Sequence, residues 1–459
     1  MLAEIFARHY FTRAWTLQEV VMGPMVLLVC GEEEMPWDRM AYAMAILIEI
    51  ERNEASTRQH ESAVFNLILP YRSLRARTQR HIREAANLSQ LPVAWVLAMT
   101  TRLNVNMPQD KFYAIYGILS KMGLMNLPAI NYSKPLGEVY AEASERALCH
   151  DTKLDLMCFL GVRHDIPGLP SWALDLNMKH PAPVIQCDHS NASLTSTPII
   201  YPLGGGQLAT RGKAVGSVSR RAKRTLPSDL KFPARRTDSA RAVDLEGLEQ
   251  RIQAYLEWVV MYKEETQRLS EREALHRFRD VLTQGSFLDG PSPQRLPEKD
   301  LQYFEHWVVY LLAYGGCLSE DAAEPINQEI ERNAWLANEL PDVKALYFGN
   351  DVERSACMAS REWKVLMAWS NSPIRPVHVL VHKMTMGHTF FFSSNGNMGI
   401  GTNELQVDDR IVLFCGAPTP MIIRAVEDER FKIVGPAYIE GLMQGECWSA
   451  EGLQDVLLI

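Results

Sequence analysis

Apolar and polar positions along this chain follow helical spacing in some stretches and strand spacing in others. From Arg13 to Val20, Trp15 and Glu19 lie four apart and share one face of a helical turn or two, which Gly23-Pro24 stops. Met25 to Cys30 is a continuous apolar run, the pattern of a strand buried on both faces. Gly31 turns the chain, and a helix is expected over 36–52 with Pro36 in its first turn. Helix, inner strand and helix together predict the start of an α/β layer. From Ala63 to Leu97 the composition stays helical, broken at Pro70 and Pro92.

Asp110 opens a further helix as a predicted N-cap, with Phe112, Ile115, Tyr116 and Leu119 on one face and Gly123 beyond its end. Leu136 to Leu148 is another helix. Residues 181–206 are rich in Pro, Ser, Thr and Gly and read as loop. Helical spacing returns at Leu245, Leu248, Ile252, Leu256 and Val259, and Ser270-Glu271-Arg272-Glu273 is a capping box. Further helices are expected over Asp300 to Tyr314, Glu320 to Leu340 and Asp351 to Met367. The period then changes. Val377 to His382 alternates, Thr389 to Phe392 is aromatic, Asn395-Gly396 signals a hairpin, and Arg410–Phe414, Met421–Val426 and Phe431–Val434 are short strands. The expected fold class is α+β, with mainly helical N-terminal and middle regions and a small antiparallel β-sheet or barrel at the C-terminus. The expected segments are 1–50, a helical 51–180, a loop and basic linker over 181–242, a helical 243–370, and a β module over 371–459.

Composition narrows the function classes. With 459 residues the chain can hold several cores, and 47% hydrophobic against 22% charged is ordinary for a globular protein. A net charge of −8 argues against general nucleic-acid binding. Arg211 to Arg241, with ten Lys/Arg against two Asp, is the one candidate contact for an anionic partner, and a solvated linker is the simpler reading. The arginines from Arg72 to Arg83 read likewise as a solvated helix face. The eight cysteines lack Cys-x-x-Cys spacing, so neither a zinc ribbon nor a disulfide framework is expected. No apolar stretch reaches the roughly 20 residues of a membrane span. The residues from Met1, with Glu4, Arg8 and Arg13, lack the uncharged apolar core of a signal peptide, and a soluble, cytoplasmic protein is expected.

Chemistry-bearing pairs are few. His378 and His382, taken as strand residues, would stand about 13 Å apart and could not share an ion. Cys149 and His150 are adjacent, and on a helix they diverge by about 100°. Gly204-Gly205-Gly206 lacks the Lys-Ser/Thr of a phosphate loop, and Gly399-Ile400-Gly401 reads as a tight turn. Glu19, one turn from Trp15 and just before the apolar run, is the carboxylate singled out for acid or base work.

The segment Arg13, Trp15, Thr16, Leu17, Gln18, Glu19 resembles the last block of the fungal heterokaryon-incompatibility (HET) domain, which ends in Arg-x-Trp-Thr-Leu-Gln-Glu. Asp110, Lys111, Tyr113 and Gly117 resemble an element found downstream of that domain. Tyr132 follows in the next element, with Asn131 where the family usually has Asp, and Pro170 with Trp172 matches a Leu-Pro-Ser-Trp segment. Gly399, Gly401, Asp409, Gly416, Pro420, Arg424, Gly435, Tyr438, Gly445 and Glu446 resemble the C-terminal part of many HET-domain proteins. The resemblance implies that residues 1–50 are the C-terminal remnant of an α/β HET domain, truncated because the two earlier blocks would precede Met1. It implies a role in self/non-self recognition and programmed cell death through protein partners, with no cofactor and no metal. The domain has been likened to the Toll/interleukin-receptor fold, some members of which hydrolyse NAD with a glutamate. The alternative it implies is an NAD hydrolase centred on Glu19.

Overall fold

A computed structural model describes residues 9–40, 42, 92–161, 165–178, 185, 190–226, 245–265, 270–286, 303–305, 307–308, 311, 375–427 and 429–459. In chain order the elements are α1 (His9–Thr12), α2 (Ala14–Met22), β1 (Leu27–Cys30), β2 (Glu33–Pro36), α3 (Val93–Thr100), α4 (Asp110–Tyr113), α5 (Tyr116–Lys121) and α6 (Leu136–His150). A 3-10 turn (Asp155–Phe159), β3 (Ile200–Gly204), β4 (Gln207–Arg221), α7 (Leu245–Glu265), α8 (Glu271–Thr283) and α9 (Arg375–Thr385) follow. The chain ends with β5 (His388–Ser393), β6 (Met398–Thr402), β7 (Arg410–Phe414), β8 (Met421–Ala425), β9 (Arg430–Ile439) and β10 (Gln454–Leu458). The fold is α+β, with the strands gathered mainly at the C-terminus. The chain divides into two compact units, one of Met1–Val215, Arg410–Pro436 and Gln444–Ile459, the other of Gly216–Asp409 and Ala437–Met443.

In the first unit, α2 buries Ala14, Leu17, Val20 and Val21, the apolar stripe of a surface helix. The short helix α3 is apolar nearly all round and is held at both ends by charged side chains from elsewhere. The Asp151 carboxylate, just past α6, accepts the backbone N–H of Val93 at 2.8 Å and of Ala94 at 2.9 Å. At the other end the buried Lys111 ammonium donates to the carbonyls of Thr100, Thr101 and Leu103. A carboxylate at a helix N-terminus and a cation at its C-terminus both oppose the helix dipole and satisfy groups the helix cannot. These helices share one core with strand residues Leu208, Val412, Phe414, Met421, Val456 and Leu458.

The eight-stranded sheet runs β10-β4-β5-β6-β9-β8-β7, with β3 beside β4 and further pairings of β10 with β9 and β4 with β7. Most pairs are antiparallel, and β10 lies parallel to β9. The expected hairpin at Asn395-Gly396 joins β5 to β6, with Gly396 at φ 81°. In the second unit the capping box holds, since Ser270 Oγ accepts the Glu273 N–H at 3.3 Å. Its core is aromatic: Trp258 lies over Phe390 with ring centroids 6.1 Å apart, and Tyr262 stacks on Phe278 at 4.6 Å.

Several expectations are corrected. The Met25 to Cys30 run is not an inner strand: β1 pairs with β2 in a two-stranded hairpin, and Met25 and Val29 are 78% and 62% exposed. An apolar run shows that a segment favours burial, but a doubly covered strand also needs a second neighbouring strand, and among the described residues β1 has only β2. Pro36 ends β2, and helix begins at Trp37; beyond Met40 only Tyr42 is described there. Asp110 lies inside α4, and the N-cap position is taken by Gln109. Residues 200–221 are strands, so the expected linker over 181–242 holds two sheet members, and the described part of the basic segment 211–241 is largely β4.

Val377 to His382 belongs to helix α9. Val377, Val379 and Val381 alternate, but Val377/Val381 and His378/His382 are also one turn apart, and the helical spacing prevails. The two histidines therefore share a helix face, and the 13 Å separation does not apply. Gly399 and Gly401 lie inside β6 and not in a turn. A Cβ on Gly399 would fall 2.8 Å from Phe391 Cζ and 2.9 Å from the Tyr438 carbonyl, so close packing sets that glycine. The helices expected over 43–91 and 320–367 lie outside the described residues, as does most of that over 300–314.

Candidate functional site

Three stretches far apart in sequence meet at one corner of the first unit. Trp15 Nε1, from α2, donates to Asp110 Oδ2 at 3.3 Å, and Tyr132 OH donates to Asp110 Oδ1 at 2.8 Å. Both oxygens of this buried carboxylate are thus engaged. The bond to Asp110 favours the protonated phenol and raises the pKa of Tyr132. Beside it, Gln18 Oε1 accepts the Gly117 N–H at 2.7 Å. A Cβ on Gly117 would meet that same oxygen at 2.7 Å, so the position must be glycine for the side chain to reach the backbone. Tyr113 is buried, exchanges hydrogen bonds with the backbone of Asn131, and its ring meets that of Tyr132 edge to face at 5.4 Å. Asn131 Oδ1 accepts the Ser133 N–H and shapes the turn.

Lys111 sits under this corner. Desolvation pulls its pKa down to about 8, and the Asp175 carboxylate acts in the opposite sense. Its three carbonyl partners mark it as a helix-end clamp. Deeper in, burial raises the Tyr140 and Tyr116 phenols above their ordinary range.

Glu19 is placed differently. It is exposed, and its carboxylate accepts Tyr10 OH at 2.9 Å. The desolvated setting expected for it rested on the inner strand, which is absent. Arg13 is exposed at the start of α2, where it forms a β-bridge with Asn104. Pro170 is buried, and Trp172 Nε1 donates to the Gly206 carbonyl at 2.9 Å, which fastens its loop to the β3–β4 turn.

The C-terminal motif residues do not join this corner. Gly416 (φ 80°) packs with its Cα side against Pro198, Pro420 is buried, and Gly445 (φ 85°) packs against Leu194. Glu446 accepts the Gln444 N–H, Arg424 and Gly435 lie in the β8–β9 ladder, and Asp409 accepts the Gln406 N–H at 2.7 Å. Tyr438 lies at the end of β9 in the second unit, its hydroxyl 3.2 Å from where a Gly285 Cβ would stand. These residues shape turns and sheet packing. Tyr10, Asp151 and the Trp307–His378 contact went unnoticed in the sequence: Asp151 and Trp307 act across 58 and 71 positions, and Tyr10 reaches Glu19 from a separate helix nine positions earlier.

Residues 351–459 match the family model of the Het-6 β-barrel domain. A segment of 72 residues is 32% identical to "Heterokaryon incompatibility protein 6, OR allele" of Neurospora crassa. Over these stretches the chain is similar to fungal heterokaryon-incompatibility proteins. The match to that relative covers 15% of this chain and 11% of the relative's length. No solved structure matches. Strand β4, from residues outside 351–459, pairs with β5 and β10 inside it, so the sheet draws on more of the chain than the matched family model spans. Among the described residues no helix is long and apolar enough to cross a membrane, and no group of three or more His, Cys, Asp or Glu is placed to hold a metal ion.

Proposed function

We propose that this HET-type protein acts in the cytoplasm in fungal self/non-self recognition, and that it contributes to programmed cell death by contacting protein partners, not by chemistry at its own motif residues. The observation that supports this most is how the motif side chains spend their hydrogen-bonding groups. Trp15, Gln18, Asp110 and Tyr132 are turned onto one another or onto backbone. Glu19, exposed and bound to Tyr10, has no second acid, base or nucleophile beside it among the described contacts. The roles expected for 1–50, 51–180 and 371–459 follow the same reading, with β4 pairing with strands of the last segment.

The test uses the full chain expressed in paired compatible and incompatible fungal strains, with growth arrest at the contact line as readout. Asp110→Ala is expected to abolish the response and Glu19→Gln to leave it intact. The second reading, NAD hydrolysis centred on Glu19, is tested on purified chain by nicotinamide release. Turnover that Glu19→Gln abolishes, together with loss of growth arrest in that variant, would replace the first reading with the second.

A further inference from the structure

The second unit buries basic groups where helix α9 meets α7. His378 and His382, one turn apart on α9, are each 5% exposed, and Arg251 of α7 is 0% exposed. Trp307 Nε1 donates to His378 Nδ1 at 2.9 Å. An indole N–H can only donate, so this bond requires a bare Nδ1 and therefore a neutral ring with its proton on Nε2. The Tyr255 ring packs edge-on against both Trp307, at 5.4 Å, and His378, at 5.9 Å. Tyr255 OH in turn shares a hydrogen bond with Thr385 Oγ1 at 2.9 Å, near the end of α9. Tyr255 thus ties the indole, α7 and both ends of α9 together.

We propose that the Trp307–His378 contact is an acid-released clasp that holds helix α9 in the core of the second unit and lets it go when the histidine is protonated. Protonation at Nδ1 would set two N–H donors face to face and place a positive charge in a buried site. The charged and titratable groups facing it among the described residues are Arg251 and Tyr255 of α7 and His382 of α9 itself. Desolvation first, then His382 and Arg251, already hold the His378 pKa well below its ordinary value of 6.5. The sign follows. A histidine held neutral by the fold contributes stability that is present above about pH 6.5 and is lost as pH falls below it. His388, next after the turn that ends α9 and 0% exposed, is held down to about 4 by burial and adds to the same sense.

The experiment is hydrogen–deuterium exchange by mass spectrometry on the full chain between pH 7.5 and 5.5, corrected for intrinsic exchange and read on peptides covering residues 375–385. Protection of these peptides is expected to fall at least tenfold in the native chain as pH drops. In His378→Asn, whose Oδ1 can accept from Trp307 but does not titrate, the loss is expected to be at least threefold smaller than in the native chain, the remainder belonging to His388. Equal loss in the variant, or no loss in the native chain, overturns the proposal. If far-UV circular dichroism at pH 7.5 shows His378→Asn unfolded, Trp307→Phe decides. It is expected to move the loss of protection to higher pH, and an unchanged midpoint overturns the clasp.

Discussion

The corner around Asp110 and the α7–α9 contact around His378 solve opposite problems. At Asp110 the polar groups lie close to the surface and are satisfied pairwise, carboxylate to indole and phenol, amide to backbone N–H. Around His378 basic groups are sealed in an aromatic core, and a hydrogen bond there depends on one ring staying neutral. The first arrangement makes no hydrogen bond that depends on a neutral histidine ring. The second does. A fold that places its motif residues in the first kind of setting uses them as fasteners, and conditional behaviour belongs to the second.

The largest expected effect would break the first region from below. Lys111→Met removes a buried ammonium and strands three carbonyls, at a cost on the order of 3–5 kcal/mol. Urea unfolding should show it as a shifted midpoint or an unfolded chain, and a loss below 1 kcal/mol would show the clamp to be dispensable. Next comes Gly137→Ala on α6. The new Cβ would meet the Pro167 carbonyl oxygen at 2.5 Å and the Leu169 nitrogen at 2.8 Å, backbone atoms that cannot swing away. A destabilisation of about 2–4 kcal/mol is expected, against the small gain that alanine gives in an open helix.

Much of this was legible in the sequence, and the failures have physical causes. Helices α2, α6, α7 and α8 and strands β5, β7, β8 and β9 stood out because their apolar residues recur at one period and their turns carry Gly, Pro or Asn-Gly, whereas β6, with its two glycines, was read as a turn. The β1 run failed because hydropathy reports burial preference and not how many neighbours a strand will find. Helix α9 failed because a run of alternating valines satisfies both periods. Strand β4 was read as a linker because Arg211, Lys213, Arg220 and Arg221 masked its alternation, although Leu208, Thr210, Gly212 and Val218 are buried. The motif residues were found, but not their use. That Asp110 would take up the indole of Trp15, 95 positions earlier, has no trace in local spacing.

The second region is sharpened by pH. For His388, held at about 4, the fold is expected to lose about 2 kcal/mol between pH 6.5 and pH 5, since the unfolded chain takes up the proton first. His388→Phe should flatten the pH dependence of the urea midpoint over that window, and an unchanged slope would show that this ring does not contribute. The smallest effect is expected at Glu19. Glu19→Gln keeps an acceptor for Tyr10 at an exposed site and should change stability by no more than about 0.5 kcal/mol. A larger loss would give that carboxylate a structural task the contacts do not show.

The central claim is that the HET motif residues fasten the fold to itself, and a double-mutant cycle reads it directly. Asp110→Ala, Tyr132→Phe and the double variant are compared by urea unfolding at pH 7.5. The account predicts a coupling of about 1.5–3 kcal/mol between the two positions, the worth of one hydrogen bond to a charged group. Strict additivity of the two substitutions would contradict it.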